Sequence, residues 1–200
     1  MSKGDQTRQR IVAQAADVFN TKGFFGTSMG DLSRATGLEK GGIYNHFASK
    51  EALALAAFDH AVGLMGMAFA KAIGREQHAL ARLEAMLGVF ATMANNPPVR
   101  GGCPVLNTAI EADDTSPVLL ARAREAMTSW HRLIGKTLKE GVAAGEIRPD
   151  CDPYEVATII TALAEGAIML SKLYDDPMYM QRAAAHVRGY IRSLAVMSAD

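Results

Sequence analysis

The 200-residue chain is short of several residue types, and each shortage excludes something. It has only two cysteines, Cys103 and Cys151, too few for a disulfide framework. Aromatic residues make up 6% and there is one Trp. Runs of β-branched and aromatic residues at short spacing are missing, which argues against a sandwich or barrel. There is no excess charge of either sign: 21 Lys+Arg balance 21 Asp+Glu, so bulk charge points to neither nucleic acid nor membrane. The opening residues, Met-Ser-Lys-Gly-Asp-Gln-Thr-Arg, lack the apolar core of a secretory leader. The best membrane candidate, Val156–Ser171, is short for a span and is interrupted by Glu165. The expected location is therefore cytoplasmic, with no membrane partner. Glu111, Asp113 and Asp114 form no ligand-spaced cluster with a histidine and read as a solvated helix end, so neither metal nor cofactor is expected.

What is present is helix. The chain is 49% hydrophobic and 21% charged, ordinary for a globular protein and too apolar for a disordered one. Its 34 alanines are the best helix formers, because Ala loses no side-chain entropy on ordering. Apolar residues recur at helical spacing along almost the whole length. The first helix carries Ile11, Ala15, Val18 and Phe19 on one face and ends near Lys22-Gly23. Ser28 with Asp31 resembles a capping box for a short helix carrying Leu32 and Ala35, and Gly37 ends it. A second short helix runs to about Phe47, and Ser49 caps a long one reaching about Gly74. Further helices are expected from about Gln77 to Ala94, from Cys103-Pro104, from Pro117 to about Gly145, from about Pro153 to Tyr174, and from about Pro177 to Met197. The expected fold is all-α, with about nine helices and no strand. The expected division is a helix-turn-helix domain over residues 1–48 and an effector-binding and dimerisation body over residues 49–200.

Charge is uneven along this helical chain. Residues 1–50 hold seven bases and four acids, so the N-terminal quarter is net basic and the rest net acidic. Two short helices joined by a glycine turn, within a three-helix cluster, are the pattern of a helix-turn-helix. The exposed side of the second helix offers donors (Lys40, Tyr44, Asn45 and His46, with Lys50 just beyond), and no carboxylate lies between Lys40 and Lys50. The Gly41-Gly42 pair costs roughly 1 kcal/mol per residue in a helix interior. Bare backbone either lets a phosphate or base edge come close or simply eases the turn.

Those residues carry a specific resemblance. Gly23-Phe24-Phe25-Gly26-Thr27-Ser28-Met29-Gly30-Asp31-Leu32, Thr36-Gly37-Leu38, Lys40-Gly41-Gly42-Ile43-Tyr44-Asn45-His46-Phe47 and Ser49-Lys50-Glu51-Ala52-Leu53 resemble the signature of the TetR (tetracycline-repressor) family of bacterial transcription regulators. The match covers about the first quarter of the chain. Ser33 stands where Ala is commoner. The Arg100-Gly101-Gly102-Cys103-Pro104 block with Asn107 is similar to one branch of the family.

The resemblance implies roles. Thr27 and Ser28 would meet phosphate oxygens at a helix start. Lys40, Gly41, Gly42 and Asn45 would face base edges, and Tyr44, His46 and Lys50 would clamp phosphates. It further implies a homodimer on a near-palindromic double-stranded DNA operator, repression, and release by a small apolar or amphipathic effector.

For the dimer, the chain offers stripes at Val156, Ile159, Ile160, Leu163, Ala167 and Leu170, and at Val187, Ile191 and Leu194, which either pair two copies or pack one core. Met65, Phe69, Met86, Phe90, Met93, Met127 and Trp130, with Cys103 and Asn107, are the pocket candidates; pliable methionine suits an adaptable cavity, and the bland alternative is core. The long helix after Ser49 would be the lever between pocket and reading unit. No catalytic residue is expected: Cys103 at a helix start could serve a thiol-based sensor, but no histidine is fixed beside it by spacing. A small-molecule-binding protein with a degenerate helix-turn-helix is the remaining alternative.

Overall fold

The computed structural model describes residues 2–196, and among them nine helices and no strand ladder. Helix α1 (Lys3–Lys22) is opened by a full capping box between Ser2 and Asp5. Helix α2 (Met29–Thr36) is opened by the Ser28/Asp31 box, in which each side chain accepts from the other residue's backbone N–H. Such a cap stabilises a helix by about 0.5–2 kcal/mol. Gly37 follows at φ 67°, in the left-handed region that L side chains avoid, and turns the chain into α3 (Lys40–Tyr44). The second short helix thus stops three residues before Phe47. Its end tightens, with the N–H groups of both His46 and Phe47 directed at Ile43 O.

Ser49 Oγ accepts from Ala52 N and opens α4 (Lys50–Ile73). Helix α5 (Ala79–Asn95) follows. Proline then starts each of α6 (Pro104–Ala112), α7 (Pro117–Ala143) and α8 (Pro153–Tyr174), as its missing N–H allows at a first turn. Helix α9 (Met178–Arg192) ends earlier than the expected Met197, which lies outside the described residues.

The chain forms two compact units, one of Met1–Leu64 with Pro97–Arg124 and the other of Met65–Asn96 with Glu125–Asp200. Helices α4 and α7 each contribute to both.

The first unit closes around Ile11, Val12, Ala15, Ala16, Leu32, Ile43, Phe47, Leu53, Ala57, Ala61 and Val99. This core brings α1, α2, α3 and the start of α4 together, so the helix-turn-helix rests on apolar packing from one side.

In the second unit α5 packs against α8 and α9, and these pack on each other. Phe69, Phe90 and Trp130 meet edge-to-face in a triangle with centroids 5.3, 5.7 and 5.4 Å apart. Each such pair is worth about 0.5–1.5 kcal/mol beyond area burial. Glu146 accepts from Ala79 N and from His78, capping α5 from a distant loop. The Ala79 N–H, then His78, hold its carboxyl below the usual range.

Helices α4 and α8, at 24 and 22 residues, are each long and apolar enough to cross a bilayer. Helix α8 extends past the Val156–Ser171 stretch at both ends and so reaches a length that stretch lacks. Half of the most apolar window of α8 is nevertheless packed inside the protein. An inward-facing stripe of this kind is how a core helix reads.

Candidate nucleic-acid interface

The reading unit is a short scaffold helix, a glycine turn and a second short helix whose outer face is bare. Lys40, Gly41, Tyr44 and Asn45 are exposed, and His46 is half-buried. Ile43 and Phe47 point into the core and anchor the helix from behind. Open space lies where a Cβ on Gly41 would sit, and one on Gly42 would meet only the Leu38 side chain at 3.6 Å. The chain's own packing therefore does not require Gly41 to be small, which favours an approach from outside. Glu39, exposed, directly precedes Lys40; the carboxylate of α2 is Asp31, and it is engaged by Lys22, Arg34 and Ser28. Lys22 first, then Ser28, hold its carboxyl well below the usual carboxylate range. Its charge is thereby neutralised locally instead of opposing a polyanion.

Two of the expected phosphate contacts are placed otherwise. Thr27 is 1% exposed, and its hydroxyl donates to Gly23 O, closing the loop before α2. Lys50 is half-buried, with Nζ donating to Phe24 O at 2.8 Å and Thr27 O at 3.0 Å, over the Phe24 ring at 4.3 Å. A lysine with two carbonyls and an aromatic face holds a loop; it is not a solvated clamp. Ser28 is exposed, but its hydroxyl serves the capping box.

The structure also brings in Arg8, Asp17 and Asn20, which sequence reasoning missed. Arg8 of α1 sits 4.5 Å from the Phe47 ring centroid, placing an exposed cation on the residue that closes the helix-turn-helix. Asp17 accepts from Arg100 N, Asn20 donates to Arg100 O and Gly102 O, and Asn107 donates to Asn20 and Gly101 O. The Arg100-Gly101-Gly102 block is the one sequence signal that could have found them.

The pocket candidates separate. Met65, Phe69, Met86, Phe90, Met93 and Trp130 are all buried in the second unit, and Met127 is half-buried there. Cys103 and Asn107 belong to the first unit, where Cys103 precedes α6 with 1% exposure and Asn107 ties down Asn20. Burial of Cys103 opposes the accessible thiolate that a redox sensor needs. A notch in the first unit holds about 30 Å³, and two open grooves in the second hold about 570 and 680 Å³. None of these three is lined by the candidates, whose aromatic members are packed on one another.

The dimer stripes need a similar correction. Val156, Ile160, Ala167, Val187, Ile191 and Leu194 are each at most 3% exposed within the single chain and pack its own core. Ile159 and Leu170 are half-buried, and Leu163 is exposed. The outer apolar seam of α8 is instead Ala162, Leu163, Gly166, Met169, Leu170 and Leu173, offset from the expected one by part of a turn.

A capped scaffold helix, a left-handed glycine and a donor-bearing second helix on an all-helical chain define a helix-turn-helix DNA-binding protein. Residues 11–57 match the family described as bacterial regulatory proteins, tetR family, and residues 79–187 match the tetracyclin repressor-like C-terminal domain. The chain belongs to the TetR family, and is a DNA-binding transcriptional regulator and not an enzyme.

It is similar over 99% of its length to a TetR transcriptional regulator from Chloroflexus aurantiacus, at 45% identity and a TM-score of 0.95, with all of that chain covered. A TetR-family regulator from Cytophaga hutchinsonii is 38% identical with a TM-score of 0.89, and 99% of each chain is covered. The transcriptional repressor DhaR of a Mycobacterium species is 26% identical over 83% of this chain and 82% of its own.

Proposed function

We infer that the protein is a repressor that binds a near-palindromic operator as a homodimer in the cytoplasm and lets go when a small apolar or amphipathic effector binds. The observation that carries this is the face of α3: Lys40, Gly41, Tyr44 and Asn45 exposed together, with no carboxylate from Lys40 to Lys50. Lys40 and Asn45 are the side chains suited to base edges, with Gly41 and Gly42 admitting the groove wall; Tyr44 and His46 suit phosphates. The Ser28 hydroxyl stays in the α2 cap. Arg8 replaces Lys50 as the flanking cation. The division of roles falls at residues 48 and 49, with reading before it and sensing and pairing after it.

One such module covers few base pairs, so two copies are needed, about 34–36 Å apart along the duplex. The outer seam of α8 supports pairing, since Ala162 and Gly166 allow two helices close together and Leu163, Met169 and Leu173 supply apolar area. The effector would enter the second unit by parting Phe69, Phe90 and Trp130, and α4 would carry the shift towards the reading unit. Release of this kind requires an effector that prefers one conformation. That DhaR is a transcriptional repressor supports the sign of regulation.

The test is selection of duplexes from a randomised pool, followed by sedimentation of the complex. Two chains per duplex on an enriched inverted repeat is the expected outcome. A single chain per duplex, or no enriched sequence, overturns the reading.

A further inference from the structure

We propose that Glu111, on α6, is a positioning residue for DNA reading, a pin that holds the Gly23–Thr27 loop in the geometry from which α2 and α3 are aimed. The inference rests on the reading of α3 as the DNA-facing helix.

Glu111 stands 86 residues beyond Phe25, and nothing in its spacing marks it. Its two carboxylate oxygens accept from adjacent backbone groups, Oε2 from Phe24 N at 2.8 Å and Oε1 from Phe25 N at 3.0 Å. The same carboxylate occupies the space where a Cβ on Gly23 would sit, so the glycine at φ 76° leaves room for the pin. Lys50 grips the loop through the carbonyls of Phe24 and Thr27. Phe24 is therefore held at both its N–H and its C=O, by an anion from α6 and a cation from α4.

The next residue after this clamped segment is Ser28, whose backbone and side chain form the cap of α2. A displaced loop would carry the cap with it and tilt α2, and α3 beyond the Gly37 turn would follow.

The surroundings favour a pin over a ligand site. The notch beside Glu111, walled by Phe19, Phe24, Phe58 and Leu119, holds about 30 Å³, room for about one water. Alongside it Asn107 and Asn20 fasten the start of α6 to the end of α1, so α6 is anchored at one end and pins the loop at the other. Charge-assisted bonds from a carboxylate to backbone N–H groups are about twice as strong as neutral ones. Two made by one side chain break together when α6 shifts.

The experiment compares wild type, Glu111→Ala and Glu111→Gln on the duplex that the wild-type chain enriches from a randomised pool. Helical content, sedimentation and amide exchange are measured on the same samples. Glu111→Ala is expected to weaken binding about tenfold with the slope of log K against log salt unchanged, because the same phosphates are met once the loop is re-ordered. The Phe24 and Phe25 amides should exchange faster while the core amides of α1 stay protected. Glu111→Gln keeps one acceptor and should fall between the two. Binding within twofold of wild type in Glu111→Ala, despite faster exchange at Phe24 and Phe25, overturns the proposal. If Glu111→Ala does not fold, Glu111→Gln decides by the same criterion. A wild-type chain that enriches no duplex overturns the DNA reading itself, and the pin with it.

Discussion

The two units are held by different physics. In the first, the parts that matter for reading are placed by directional bonds: two capping boxes, a left-handed glycine, and a loop gripped by Lys50 and Glu111. In the second, the aromatic triangle and the α5–α8–α9 packing dominate, with a few polar cross-links: Glu146 on Ala79 N, His131 on Thr161 and Arg192 on Glu84. Hydrogen bonds have short, angle-dependent optima, so they fix an orientation. Apolar burial is non-directional and can re-form around a guest. A regulator needs both: a reading head with one aim and a body that can yield.

The largest loss is expected in the second unit. Trp130→Ala removes the largest member of the triangle, and should cost about 3–5 kcal/mol in denaturant unfolding. The loss should leave the Phe24 and Phe25 amides protected; if they open equally, the two units are one cooperative body. Gly37→Ala places a Cβ at φ 67° and should cost about 1–2 kcal/mol, with duplex affinity falling further than global stability does. Ser28→Ala removes the α2 cap and should cost about 1 kcal/mol, seen as faster exchange in the first turn of α2 with the body unchanged.

The smallest effect is acid sensitivity at Asp31. Its folded carboxyl sits below the unfolded one, so its contribution is complete above about pH 4 and declines as pH falls towards the folded value. In Asp31→Asn the stability should be lower at neutral pH and the acid slope shallower. An identical slope in both proteins would show that the Lys22 and Ser28 contacts do not form in solution.

Most of the fold was legible because its boundaries are chemical. Ser28 with Asp31, Gly37, Ser49, and the prolines at 104, 117 and 153 each mark a helix start or stop by what the backbone permits there. The exposed donors on and just after α3 were legible because Lys40, Tyr44, Asn45 and His46 fall within seven residues. Three things were not. Lys50 has a long stem that reaches either solvent or a carbonyl, and spacing does not say which. Glu111 acts across 86 residues of chain. The stripe on α8 marks a buried face but not what buries it, so Val156, Ile160 and Ala167 read as a partner surface when they fill their own core.

Whether the outer face of α3 reads sequence is decided by the binding of Asn45→Ala and Lys40→Ala to the enriched duplex and to a scrambled one of equal length. A loss of about 1–3 kcal/mol per substitution is expected on the enriched duplex for each side chain that meets a base edge, with little change on the scrambled duplex. Equal losses on both duplexes, or none on either, would contradict sequence reading by this face.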